Sequence, residues 1–183
     1  MKKILCAAIL LVPFLSQAQG QEDLWKPFRF VIGDWAGSGS GKPGPGTGEF
    51  SLKPELNNQI LVRRNYNVYP DQKAEAKGLK QEDLKIMAGQ AKGPTHEDLM
   101  IIYPSQDLKP YRAVYFDSEG HVIRYDISSA ENELVFLSEA EPNAPRFRLT
   151  YHKKSINSLG IDFAMAPPNG DFHPYLSGIV TRK

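Results

Sequence analysis

Ala113-Val114-Tyr115-Phe116-Asp117-Ser118-Glu119-Gly120-His121-Val122-Ile123-Arg124-Tyr125 decides the fold. Two runs of β-branched and aromatic residues flank Asp117 to Gly120, where aspartate can bond nearby backbone and glycine takes positive φ without steric cost. The spacing predicts a short hairpin. Past the turn, His121, Ile123, Tyr125 and Ile127 alternate with Val122, Arg124 and Asp126, a period of two that sends alternate side chains to opposite faces of a sheet.

The same pattern extends in both directions. About ten short apolar runs, bounded by Gly, Pro, Asn and Asp, fall near 28–40, 46–53, 59–69, 97–103, 111–118, 121–128, 132–138, 145–153, 157–166 and 173–182. Glu131-Asn132 and Asn157-Ser158 read as further reversals. Ten antiparallel strands in a chain of this length close most economically into an up-and-down β-barrel, which leaves no open edge. A two-sheet sandwich is the alternative arrangement of the same strands. One segment departs from the pattern: residues 74–92 are rich in Ala, Lys, Gln and Glu and read as a short helical or loop insertion at one end of the barrel.

Composition narrows the function classes. The chain has 183 residues with 22 Lys and Arg against 21 Asp and Glu, so it has no net field to attract a polyanion, and nucleic acid is not an expected partner. Met1-Lys2-Lys3, the apolar run Ile4 to Leu15 and Ser16-Gln17-Ala18 have the three parts of a secretory signal, with cleavage expected after Ala18. The apolar run is shorter than the roughly 20 residues of a spanning helix. A periplasmic or extracellular product is expected, residues 19–183 forming one domain with no transmembrane segment. Cys6, the single cysteine, lies within the signal, so the mature domain has no thiol for a disulfide, a metal or a nucleophile.

The glycine run Gly37, Gly39, Gly41, Gly44, Gly46 and Gly48 is followed by another strand, not by the helix a phosphate-binding loop requires. It reads as a hairpin and a barrel bend. Gly37-Ser38-Gly39-Ser40-Gly41 has the letters of a nucleophile elbow without its strand-to-helix context. No pair of carboxylates stands out as an acid and base, and no catalytic residue is expected.

Gly33-Asp34-Trp35 on the first strand, with Thr181-Arg182-Lys183 on the last, resembles the calycin arrangement of lipocalins and their relatives. The resemblance implies that Trp35 closes one end of the barrel with Arg182 across its indole. The opening Phe30-Val31-Ile32-Gly33-Asp34-Trp35-Ala36-Gly37 also resembles nitrobindin-type heme-binding barrels and related exported bacterial domains of unknown function. In nitrobindins a histidine a few residues before a Val-Thr-x-Lys ending holds the iron. Here Val180-Thr181-Arg182-Lys183 is preceded by Ser177, Gly178 and Ile179, so that ligand is missing, and His173 is the remaining candidate on the segment. Heme is therefore disfavoured as a cofactor.

Three histidines remain. His96 and Asp98 share one face of a strand, His121 follows the Gly120 turn, and His152 has no evident partner. No metal set is complete in the sequence. A ten-stranded barrel is wide enough to leave a cavity, and Arg63, Tyr66, Tyr115, His121, Arg124 and Tyr125 are the candidate ligand-binding residues, with Arg64 on the same strand as Arg63 and Tyr66. An inward arginine beside a tyrosine would suit a carboxylate. The expectation is a barrel that performs no chemistry and holds a small hydrophobic or amphipathic ligand. A nitrobindin-like heme protein and a filled-barrel structural or interaction domain are the alternatives.

Overall fold

A computed structural model describes residues 23–69, 95–105 and 110–183. The proposed signal 1–18, Cys6 and the insertion 74–92 lie outside these residues. Ten strands follow in order: β1 (Gly33–Gly41), β2 (Gly46–Glu55), β3 (Ile60–Val68), β4 (Thr95–Pro104), β5 (Tyr111–Asp117), β6 (Val122–Ala130), β7 (Glu133–Ser138), β8 (Arg146–Ser155), β9 (Ser158–Ala166) and β10 (His173–Arg182). Each pairs antiparallel with its sequence neighbours, and β1 pairs with β10, so the sheet is a closed barrel and not a sandwich.

The ten expected runs are the ten strands, with one correction at the start. Phe28 to Ile32 does not extend. Pro27 sits in a 3-10 turn over Lys26–Phe28, and the amides of Val31 and Ile32 return to the Phe28 carbonyl. The chain straightens only at Gly33, whose φ of 139° is open to glycine alone. The apolar residues of this segment therefore turn inward and become a plug.

Trp25, Phe28 and Val31 are buried under one end of the barrel, against Trp35, Leu61, Ile102, Ile127 and Leu134. Tyr111 crosses Phe28 edge-on at 4.9 Å between ring centroids and donates to the Leu24 carbonyl at 2.7 Å. Trp25 Nε1 donates to the Asn58 carbonyl and Trp35 Nε1 to the Val31 carbonyl, both at 2.9 Å. Arg182 lies across Trp35, its guanidinium carbon 4.2 Å from the ring centroid, and donates to the Ile32 carbonyl at 2.8 Å. A Cβ on residue 33 would occupy the place of that guanidinium. Gly33, Trp35 and Arg182 thus form one unit in which the missing side chain makes room for the cation.

The glycine run serves the seam between β1 and β10. Gly37 pairs with Val180 so closely that a Cβ there would come within 2.7 Å of the Val180 Cα and collide with the Ile179 carbonyl. Gly41 meets the same obstruction at Leu176 and Tyr175. A Gly37→Ala variant should therefore force the first and last strands apart. An overpacking cost of about 1–3 kcal/mol is expected, read as a lower urea midpoint, and a wild-type midpoint would refute this account of the seam.

Candidate functional site

At the end opposite the plug the lumen widens into a cavity of about 220 Å³. Its volume comes from side chains that are absent. Gly37 and Gly39 of β1, Gly46 and Gly48 of β2 and Gly178 of β10 line one side with bare backbone. Across from them, Phe147, Leu149, Ile161 and Phe163 of β8 and β9 form an apolar wall, with Phe147 and Phe163 stacked at 6.0 Å. The register of β10 against β9 shifts between Pro174 and Leu176, and both Tyr175 and Leu176 reach this cavity. β3 ends at Val68 and β4 begins at Thr95 at this same end.

The remaining wall is polar. On β3, Arg63 and Asn65 alternate inward, and both bind the buried carboxylate of Asp98 on β4. Arg63 Nη1 pairs with Asp98 Oδ1, and Asn65 Nδ2 donates to Asp98 Oδ2 at 2.8 Å. His96, two residues back on β4, places Nε2 3.4 Å from Asp98 Oδ2 and 3.1 Å from the Tyr115 hydroxyl, while its Nδ1 is 3.0 Å from Glu119 Oε2. Asp117 anchors the β5–β6 turn: its Oδ1 accepts from the amides of Glu119 and His121, and its Oδ2 faces His121 Nδ1 at 2.8 Å and the Tyr115 hydroxyl at 3.3 Å.

Burial by itself would lower the Arg63 pKa, but Asp98 and the surrounding tyrosines hold it above its ordinary value. Arg63 is a permanent cation paired with the Asp98 carboxylate. Its guanidinium also lies 5.4 Å over the Phe50 ring, so it forms the floor between the polar cavity and the apolar plug. Burial raises the phenols of Tyr115 and Tyr125 far above their usual range, with Asp98 adding to the effect, so both stay protonated. Tyr69 is pushed up to about 12, again first by burial.

For His96, burial opposes the charge, but the Asp98 and Glu119 carboxylates outweigh it and raise the pKa above 6.5. A raised folded value makes this contribution to stability complete below about 6.5, and it fades as pH rises through the folded pKa. Urea midpoints measured from pH 5.5 to 8.5 should therefore fall more steeply for the wild type than for His96→Gln. Parallel slopes would remove His96 from the titration.

Of the sequence candidates, Arg63, Tyr115, His121 and Tyr125 face the lumen. Tyr66 and Arg124 do not. Tyr66 is separated from Arg63 by three positions and Arg124 is adjacent to Tyr125, so each must point away from its inward neighbour on a regular strand, and both are exposed outside the barrel. His173 is also exposed, at the start of β10, and does not line the cavity, so it is not placed to hold a heme iron there. The carboxylate pocket expected around Arg63 is corrected as well, because Asp98 already occupies that guanidinium. His152 lies on the outer face between Glu133 and Asp162, 3.0 Å from each.

Sequence reading missed Asn65, Asp98 and Glu119 as members of the site. The polar residues Arg63 and Asn65 at period two, facing His96 and Asp98 at period two on the paired strand, were the available signal. A larger depression of about 720 Å³ lies on the outer face of β2 to β5, edged by Arg64, Tyr66, Glu97 and Phe116. Its charged side chains Glu49, Arg64 and Lys183 are each about half exposed.

The fold and cavity define a class: a closed ten-stranded antiparallel barrel, plugged at one end, with a half-apolar, half-polar lumen at the other. In fold the chain is similar to the crystal structure of Rv2717c from M. tuberculosis, at 13% identity and TM-score 0.55 over 87% of this chain and 97% of that one. The structure of EF1p2_mFAP2b bound to DFHBI aligns at 11% identity and TM-score 0.35, over 87% and 99% of the two chains. No protein-family model and no curated protein matches the sequence.

Proposed function

We propose that this protein is a non-catalytic barrel that binds a small amphipathic molecule in its lumen. The observation that carries the reading is the cavity between the Phe147–Phe163 wall and the Asp98 network, built where five glycines contribute no side chain. At about 220 Å³ it falls below the roughly 300–1,000 Å³ of drug-sized ligand sites, so the ligand is small. The apolar wall would take its body and the polar wall its head group. Tyr115 and His121 are the residues best placed to meet that head group, and Arg63 and Tyr125 shape the floor beneath it.

The volume and the position of His173 speak against a heme in this lumen, and hemin added to the protein should give no Soret shift that depends on His173. The residues 1–18 support an exported protein, which fractionation of cells for the mature chain would test.

The binding experiment is ligand-dependent stability. A molecule that binds only the folded state at 100 times its Kd stabilises by about 2.7 kcal/mol. Small amphiphiles should raise the melting temperature of the wild type, and Ile161→Trp, which fills the cavity, should abolish the rise while remaining folded. An equal rise in both proteins would refute binding in the lumen.

A further inference from the structure

We propose that a second copy of this chain docks on the outer face of β4, β5 and β6, as an isologous dimer centred on Phe116. A closed barrel has no strand edge to share, so a partner must meet it through the side chains of a face.

Register sets that face. Asp98 and Met100 of β4, Ala113 and Tyr115 of β5, and Ile123 and Tyr125 of β6 point inward. Their neighbours Leu99, Ile101, Val114, Phe116 and Val122 therefore point outward, and none of them belongs to the barrel core. The strand pairings set them side by side in two rows, Leu99–Phe116–Val122 and Ile101–Val114, with Phe116 38% and Val122 60% exposed. On β2 the outward positions hold Thr47, Glu49, Ser51 and Lys53 instead. Leu99-Met100-Ile101-Ile102 is thus apolar on both faces, the pattern of a strand that is covered on both sides. Contiguous apolar side chains on an outer face mark an interaction surface.

Charge placement says which partner fits. Among the described residues, Glu97 and Arg124 carry exposed side chains on this face and form no ion pair within the chain. From Phe116, Glu97 lies one strand to one side and two residues toward the β5–β6 turn, and Arg124 lies one strand to the other side and two residues away from that turn. Phe116 is midway between the two charges. A twofold axis in the plane of the interface, passing through Phe116 at right angles to the line joining them, lays Glu97 over Arg124 of the partner subunit and Arg124 over the partner subunit's Glu97. Phe116 then meets its own copy. A partner of one charge would satisfy only one of the two side chains, whereas a second copy satisfies both. Three strands about 4.8 Å apart make a narrow face, at the low end of specific interfaces, so a micromolar dissociation constant is expected.

Sedimentation equilibrium of the purified protein from about 5 to 500 μM, the range such an interface requires, should show monomer converting to dimer. Glu97→Arg alone, or Arg124→Glu alone, sets like charges against each other on both sides of the axis and should raise the dissociation constant at least about tenfold, with the cooperative urea transition retained. An equimolar mixture of the two variants restores both attractions in a heterodimer and should recover wild-type association. A wild type that stays monomeric throughout would overturn the proposal. So would a dimer that ignores both reversals, or a mixture that associates no more tightly than either variant alone.

Discussion

Asp98→Leu should destabilise the barrel by about 3–5 kcal/mol, the usual cost of removing one partner from a buried ion pair. The loss arises less from the attraction given up than from the charge left behind. Arg63 is buried beneath the cavity and stacked over Phe50, so it has no route to water without disturbing the floor. Asn65 and His96 would lose the same acceptor. The double variant Arg63→Met/Asp98→Leu removes both charges and should recover part of the loss, because two apolar side chains of similar bulk suit the core below. Urea denaturation of the wild type, the single and the double variant measures this. A double variant less stable than Asp98→Leu would mean that Arg63 is held by contacts other than Asp98.

Trp35→Ala should cost a comparable amount, about 3–5 kcal/mol for a fully buried indole. Trp35 touches the plug through its bond to Val31, the barrel wall through Phe50 at 6.2 Å, and Arg182 through its ring face. Its removal leaves a cavity where the N-terminal segment meets the first strand. Arg182→Leu keeps the indole and loses the cation over its face, worth about 0.5–2 kcal/mol, together with the hydrogen bond to the Ile32 carbonyl. Thermal melts should therefore rank the variants with Trp35→Ala well below Arg182→Leu. Equal melting temperatures would show that the guanidinium, not the buried indole, holds the plug.

The strands were legible because a half-buried strand repeats every two residues, and each turn carried its own glycine, asparagine or aspartate. Phe28-Arg29-Phe30-Val31-Ile32 was read as strand because an apolar run carries no period that separates a strand from a plug. Pro27 and the positive φ of Gly33 set that boundary, and only the second is a matter of three dimensions.

The site was legible in composition and not in direction. Arg124 and Tyr125 are neighbours on one strand, so they could not both point inward, and the same parity separates Tyr66 from Arg63. Alternation leaves open which set is inside until one buried residue fixes it. The partner that neutralises Arg63 lies on the next strand, 35 residues away. Pairing register, not local pattern, put Asp98 there.

The seam between β1 and β10 differs from every other join in the barrel. Hairpins can zip locally, whereas this pairing brings Trp35 to Arg182 across almost the whole chain. Contacts of such sequence separation form late, after the entropy of closing the loop has been met. The plug and the arginine stack sit on this last join. Contacts that form late slow unfolding more than they speed folding, so loss of the Trp35–Arg182 stack should appear mainly as a faster unfolding rate.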